Sequence, residues 1–174
     1  MSSAGHLISR FFGSLLPGGP SAAERDWVAS QLLGDEFEIW SRLSGPDRRH
    51  SAAVARRVAA RLGGNADRPV LAAALLHDSG KQVSGLRTPG RVMATIVGLV
   101  LGHDAERARR WSRSRWPRRR FGAYWSHPEL GAAMLEAAGS APLTVAWTLE
   151  HHRPSSQCTL DPELADALRE ADDD

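Results

Sequence analysis

Residues 70–76 read Val-Leu-Ala-Ala-Ala-Leu-Leu and run straight into His77-Asp78. A helix that is apolar on every side has no face to give to water, so it is buried all round and the rest of the chain has to wrap it. The same segment carries an imidazole and a carboxylate into the interior. An ionised carboxylate without a partner is expensive there. Whatever this chain folds into must therefore enclose that helix and compensate Asp78.

The remaining sequence reads as more helices. It is rich in alanine, with one Tyr and four Phe, a balance that favours helix over strand. Ser21 to Glu24 is a capping box that opens a helix ending near Gly34. A shorter helix is expected over Asp35 to Leu43, and Gly45-Pro46-Asp47 breaks the chain and starts another that stops at Gly63-Gly64. In that helix His50, Val54 and Val58 fall at i, i+4 and i+8, so the histidine faces inward or along a cleft. Asp67 caps the buried helix, Pro69 sits in its first turn, and Gly80 ends it. Further helices are expected over Arg91 to Leu101 and Asp104 to Trp111. Ser126-His127-Pro128-Glu129 reads as a second capping box, with His127 in the first helical position and Gly139 closing that helix. Pro142 opens the next, which reaches His151-His152 and ends before Pro154, and Asp161-Pro162-Glu163 caps the last. The expectation is an all-α bundle of about eight helices. At 174 residues one core suffices. Residues 1–45 are expected to form an N-terminal helical extension packed on a main domain over 46–174.

Several classes are set aside. A single cysteine, Cys158, rules out an internal disulfide and suits a reducing cytoplasm. Leu7, Ile8, Phe11, Phe12, Leu15 and Leu16 come in pairs separated by polar or small residues, so no continuous secretory core is present. The apolar run Val92 to Leu101 is about half of the ~20 residues that span a bilayer. A soluble, cytoplasmic protein is expected.

The chemistry concentrates on His50, the pair His77-Asp78, and an aspartate of the final helix. Imidazole nitrogens and carboxylate oxygens suit a hard-to-intermediate divalent ion. Such an ion would account for the buried Asp78, acidify water and polarise a phosphoryl oxygen. Taken alone, a His-Asp dipeptide more often serves only to hydrogen-bond within itself or to backbone. Here it ends a wholly apolar helix and follows a histidine on an apolar stripe, which shifts the balance toward metal.

With Asp47-Arg-Arg-His50-Ser, Leu75-Leu-His77-Asp78-Ser-Gly-Lys81 and Ala171-Asp172 in this order, residues 46–173 resemble the HD-domain superfamily of metal-dependent phosphohydrolases. The resemblance implies an all-helical HD domain with His50, His77, Asp78 and Asp172 in four metal-ligand places; the run Asp172-Asp173-Asp174 leaves Asp173 as the other choice for the last. His127 and His151-His152 stand where HD-GYP phosphodiesterases and HD hydrolases of bacterial diadenosine tetraphosphate carry extra histidines. By that resemblance they would ligate a second metal or contact phosphate. The bland alternative makes His127 a helix-start residue and His151-His152 a partly exposed helix end. After His152 the chain reads Arg-Pro-Ser-Ser-Gln-Cys in place of a Gly-Tyr-Pro signature, which speaks against cyclic-di-GMP as substrate. Lys81 is the only lysine among 22 basic residues, and a compact ammonium suits a phosphate beside a metal. HD hydrolases often carry lysine at this place. Asp166 is read as a solvated face residue, and His6 and His103 as surface residues.

Between Arg107 and Arg120 lie eight arginines and no acid, interleaved with Trp111 and Trp116. The segment is read first as a charged loop whose tryptophans anchor it to the core. Beyond that, Arg118, Arg119 and Arg120 would attract anionic substrate. The expected function is hydrolysis of a phosphate ester or anhydride, of a phosphorylated small molecule such as a nucleotide. Asp78 and Lys81 act catalytically, with one or two divalent ions per chain (Mn, Fe, Co, Mg or Zn, not distinguished). The alternative is a non-catalytic HD module that binds nucleotide, nucleic acid or a membrane surface through residues 107–120.

Overall fold

The computed structural model describes residues 18–102 and 104–174. The readings of His6, His103 and the segment Leu7 to Leu16 fall outside those residues. Among the described residues the chain forms ten α-helices, three 3-10 turns and no strand. The helices are α1 (Ala22–Gln31), α2 (Gly34–Ser41), α3 (Gly45–Leu62), α4 (Arg68–Leu76), α5 (Thr88–Leu101), α6 (Ala105–Ser112), α7 (Arg118–Trp125), α8 (His127–Ala137), α9 (Pro142–Glu150) and α10 (Pro162–Asp173). The all-α expectation stands, with ten helices rather than about eight.

The bundle is organised around α4. Asp67 caps it by accepting from the Val70 amide at 3.1 Å, Pro69 lies in its first turn, and all seven residues from Val70 to Leu76 are buried. Val54 and Val58 of α3, Val28 of α1, Ile39 and Trp40 of α2, Leu135 of α8, Trp147 of α9 and Leu168 of α10 belong to the same core. Residues before and after position 45 thus share one apolar interior. Trp40 is fully buried and donates its indole N–H to Ser51 Oγ at 2.9 Å, which satisfies its single polar group. Thr144 donates to the Pro69 carbonyl at 3.0 Å and ties the start of α9 to the start of α4.

Three sequence expectations need correction. The stretch from Arg118 is a helix, α7, because Gly122 lets it pack closely on α6: a Cβ there would lie 2.2 Å from the Ser112 nitrogen. Charge on the exposed side masks that packing in the sequence. Only one of the two tryptophans anchors the segment. Trp111 lies against Phe121 and Trp125, with the Trp125 ring centroid 4.9 Å away, whereas Trp116 is 75% exposed. Ser126 does not cap α8. It also ends α7, where its own N–H donates to the Gly122 carbonyl at 2.9 Å, and its backbone is not extended as side-chain capping requires.

Candidate metal centre

Three histidines reach the interior by one local device. His77 follows the last residue of α4, His127 is the first of α8, and His151 follows the last of α9. In each the ring Nδ1 donates to the carbonyl three residues earlier: Ala74 at 2.9 Å, Tyr124 at 2.8 Å and Thr148 at 2.9 Å. A carbonyl only accepts, so Nδ1 carries a proton, and whenever the ring is neutral its Nε2 is left with the lone pair. Backbone contacts of this kind orient metal-ligating histidines.

All three Nε2 atoms converge on Asp78. His77 Nε2 lies 3.4 Å from Asp78 Oδ2, and His127 and His151 Nε2 lie 3.5 and 3.7 Å from Oδ1. Asp78 thus offers one oxygen to each side. Lys81 donates to Oδ2 from the 3-10 turn 79–84. Gly80 makes the convergence possible. A Cβ there would lie 1.9 Å from the His127 carbonyl oxygen, and a Cβ on Gly131 would lie 2.9 Å from the Thr148 methyl. Two glycines therefore let the turn after Asp78 lie directly against α8.

The far end of the chain closes the other side. His50 Nε2 and Asp172 Oδ1 are 2.8 Å apart, and Asp172 Oδ1 is 3.6 Å from His77 Nε2. This register is held by the same face of α3, whose Arg57 donates to the Ala171 carbonyl at 2.7 Å while Arg61 pairs with Glu170 and Asp174. The run of three aspartates is thereby fixed in place, with Asp172 beside the two histidines and Asp174 on Arg61. Asp166, read as a solvated face residue, lies on the exposed side and pairs with Arg169.

Among the described residues two groups of donor atoms could each hold a metal ion: His50, His77 and Asp78, and His127, His151 and His152, each set within 4.8 Å of one another. His152 is exposed, and its Nε2 lies 3.2 Å from that of His127. The bland alternative, a partly exposed helix end at His151-His152, fits only His152, since His151 is buried. Asp78, Lys81, His151, His152, Arg169, Asp172 and Asp173 line one cleft of ≈ 240 Å³.

The electrostatics are dominated by burial and by carboxylates answering it. Desolvation pulls His77 down, but the charges of Asp78 and Asp172 outweigh it and raise its pKa to about 9. Burial pushes Asp78 up, yet the Lys81 and His77 charges hold it well below the usual carboxylate range. Burial depresses Lys81, but Asp78, Tyr124 and Asp47 together raise it, so its ammonium is retained. His127 is lowered by burial, with Asp78 opposing.

The donor set fits a divalent cation. The Nε2 atoms of His77 and His151 and Oδ1 of Asp78 are buried and lack hydrogen-bond partners. Each such atom costs roughly 1–3 kcal/mol when left unpaired. His77 and Asp78 belong to one of the two donor groups and His151 to the other, so ions held by these groups would satisfy them.

The other sequence-nominated residues lie apart from this cleft. Arg118 stacks over Trp111 with its guanidinium 5.6 Å from the ring centre, Arg120 donates to the Gly85 carbonyl at 2.9 Å, and Arg119 is exposed. None of the three lines the cleft; the guanidinium that does belongs to Arg169, which the sequence reading passed over. Its signal was its spacing, one helical turn before Asp172 on the same face of α10. Asp47, quoted for its place before His50, accepts from Arg91 at 2.7 and 2.8 Å and pins the start of α5 to α3. No protein-family model, curated protein or solved structure matches this chain.

Proposed function

We propose that the chain is a metal-dependent phosphohydrolase that cleaves a phosphate ester or anhydride of a nucleotide-like small molecule. One observation carries this reading: buried imidazole and carboxylate atoms without partners converge beside the Lys81 ammonium in a solvent-reached cleft. A purely structural cluster would pair its polar atoms. The order His50, His77-Asp78, Asp172 agrees with the ligand places of the HD superfamily, and the resemblance of residues 46–173 to it supplies the reaction class.

In this reading His50, His77, Asp78 and Asp172 hold one divalent ion, and His127, His151 and His152 hold a second or contact phosphate. A bound ion supplies a Lewis-acid centre that polarises a phosphoryl oxygen and makes water nucleophilic near neutral pH. The chain's own groups do the rest. The carbonyls of Ala74, Tyr124 and Thr148 hold the imidazoles in one tautomer. Asp78 is kept ionised by the Lys81 charge and orients the attacking water as a hydrogen-bond acceptor. Lys81 and Arg169 give the cleft two cations for the phosphate.

The test uses full-length protein stripped of metal and reloaded singly with Mn, Fe, Co, Mg or Zn, offered mono-, di- and dinucleoside polyphosphates. Turnover with at least one ion is expected, with a loss of 10³-fold or more in Asp78→Ala, about the 4 kcal/mol of transition-state stabilisation at stake. Nucleotide binding without turnover under every ion would identify a non-catalytic module instead.

A further inference from the structure

Helix α5 buries only its Ala94 and Gly98 side, where Trp125 of α7 donates its indole N–H to the Ala94 carbonyl at 3.0 Å. Away from that side Met93, Ile96 and Val100 follow at i, i+3 and i+7 with Leu99 next to them, and Leu101 is exposed at the helix end. All five are exposed, Leu99 and Val100 each by 76%. A contiguous stripe of large aliphatic side chains marks a contact surface. The chain turns from this stripe directly into the arginine-rich segment, where Arg107 donates to the Gly102 carbonyl. Trp116 is 75% exposed within that segment. Arg109, Arg113, Arg115 and Arg119 are exposed, and among the described residues the segment's only charge pair joins Arg110 to Glu106 at 4.0 Å.

We propose that the α5 stripe, together with Trp116 and these arginines, docks the protein on the surface of an anionic lipid bilayer. An amphipathic surface helix binds by burying its apolar face at the headgroup boundary while neighbouring cations meet anionic lipid, and tryptophan favours that boundary. The chemistry separates lipid from other partners. A nucleic acid would meet the arginines but offers nothing to cover five aliphatic side chains. A second copy would cover the aliphatic side chains but bring two arginine clusters together. Only a surface both apolar and negative answers both features. No helix among the described residues is long and apolar enough to cross a membrane, so the contact is a docking and not a span. The inference stands independently of the metal centre.

Full-length protein is pelleted with vesicles of phosphatidylcholine alone, or of phosphatidylcholine with one quarter phosphatidylserine, at low and high salt. Binding to the anionic vesicles only, weakened by salt, is expected. Arg113→Ser and Arg119→Ser should each weaken it about fivefold, and the pair Leu99→Asp and Val100→Asp at least tenfold. All four side chains are exposed, so circular dichroism and melting should stay unchanged and separate lost binding from lost folding. The proposal is overturned by absence of binding to anionic vesicles, or by binding that Leu99→Asp with Val100→Asp leaves intact. It is equally overturned if the protein ignores vesicles and instead binds single-stranded RNA, or forms a dimer that the same pair disrupts.

Discussion

The histidine cluster and the arginine-rich segment are both dense in charge and nitrogen, yet they obey different rules. Around Asp78 most donor atoms are buried or line one cleft, and His77, His127 and His151 are each held by a bond to a backbone carbonyl. Between Arg107 and Arg120 the guanidinium groups are mostly in water and largely without carboxylate partners among the described residues. An unpaired polar atom in the interior costs kilocalories, while an arginine in solvent costs almost nothing. Geometry in the first region is therefore informative atom by atom. In the second, only the sum of charge and exposed apolar surface is.

The sharpest way to break this contrast is to remove the carboxylate at the centre. Asp78→Ala leaves the Lys81 ammonium buried without its carboxylate partner and removes the main influence that keeps His77 protonated. Loss of one partner from a buried charge pair costs about 3–5 kcal/mol, and urea denaturation of the metal-free variant should show a loss of that order. A change below about 1 kcal/mol would mean that the charges around Asp78 are solvated and that the cluster is not the constrained region described.

Metal comes next in size. An ion that binds only the folded chain stabilises it by about 2.7 kcal/mol at a hundred times its dissociation constant, visible as a higher melting temperature. Its pH dependence follows from His77. In the metal-free protein the pKa of His77 is raised to about 9 from an unfolded value of about 6.5. The protonated ring therefore contributes stability that is complete below about pH 6.5 and is lost as pH climbs through about 9. A cation has to displace that proton, so its affinity should rise over the same window, with roughly one proton released per ion at neutral pH. Calorimetry in buffers of different ionisation enthalpy counts that proton; none released would remove His77 from the ligand set.

How much of this was legible in the sequence differs by region for the same physical reason. The buried helix, its Asp67 cap and the approach of His77-Asp78 to the interior follow from local pattern, because an all-apolar run and a cap leave little freedom. That His127 and His151 share Asp78 is a long-range fact carried by Gly80 and Gly131, whose importance is a missing Cβ and not a visible group. Ser126 looked like a cap by spacing, but the backbone of a helix-to-helix junction prevented it. Helix α7 was hidden because its arginines speak loudly and the Gly122 contact that seats it is silent. Arg169 was missed because a lone arginine on a polar helix face carries no mark until α10 is placed against α3.

The glycine contact gives the next prediction. Gly80→Ala puts a methyl group 1.9 Å from the His127 carbonyl in the present geometry, so the turn and α8 must separate. Overpacking of this kind costs about 1–3 kcal/mol. It should also weaken metal binding, since His127 moves away from Asp78. Stability and metal affinity should fall together.

The smallest expected effect lies across the comparison. Arg113→Ser and Arg119→Ser remove charges that neither pair with carboxylates among the described residues nor line the cleft. Their effect on unfolding free energy should stay within about 0.5 kcal/mol, the range for exposed substitutions away from special features. They should also leave the metal content of the protein as it was. A small gain is the direction to expect, because each substitution relieves repulsion among neighbouring arginines, and salt should erase that gain by screening it. A loss above about 1 kcal/mol would place these guanidinium groups in a structural network. The arginine-rich segment would then have to be understood, like the histidine cluster, one contact at a time.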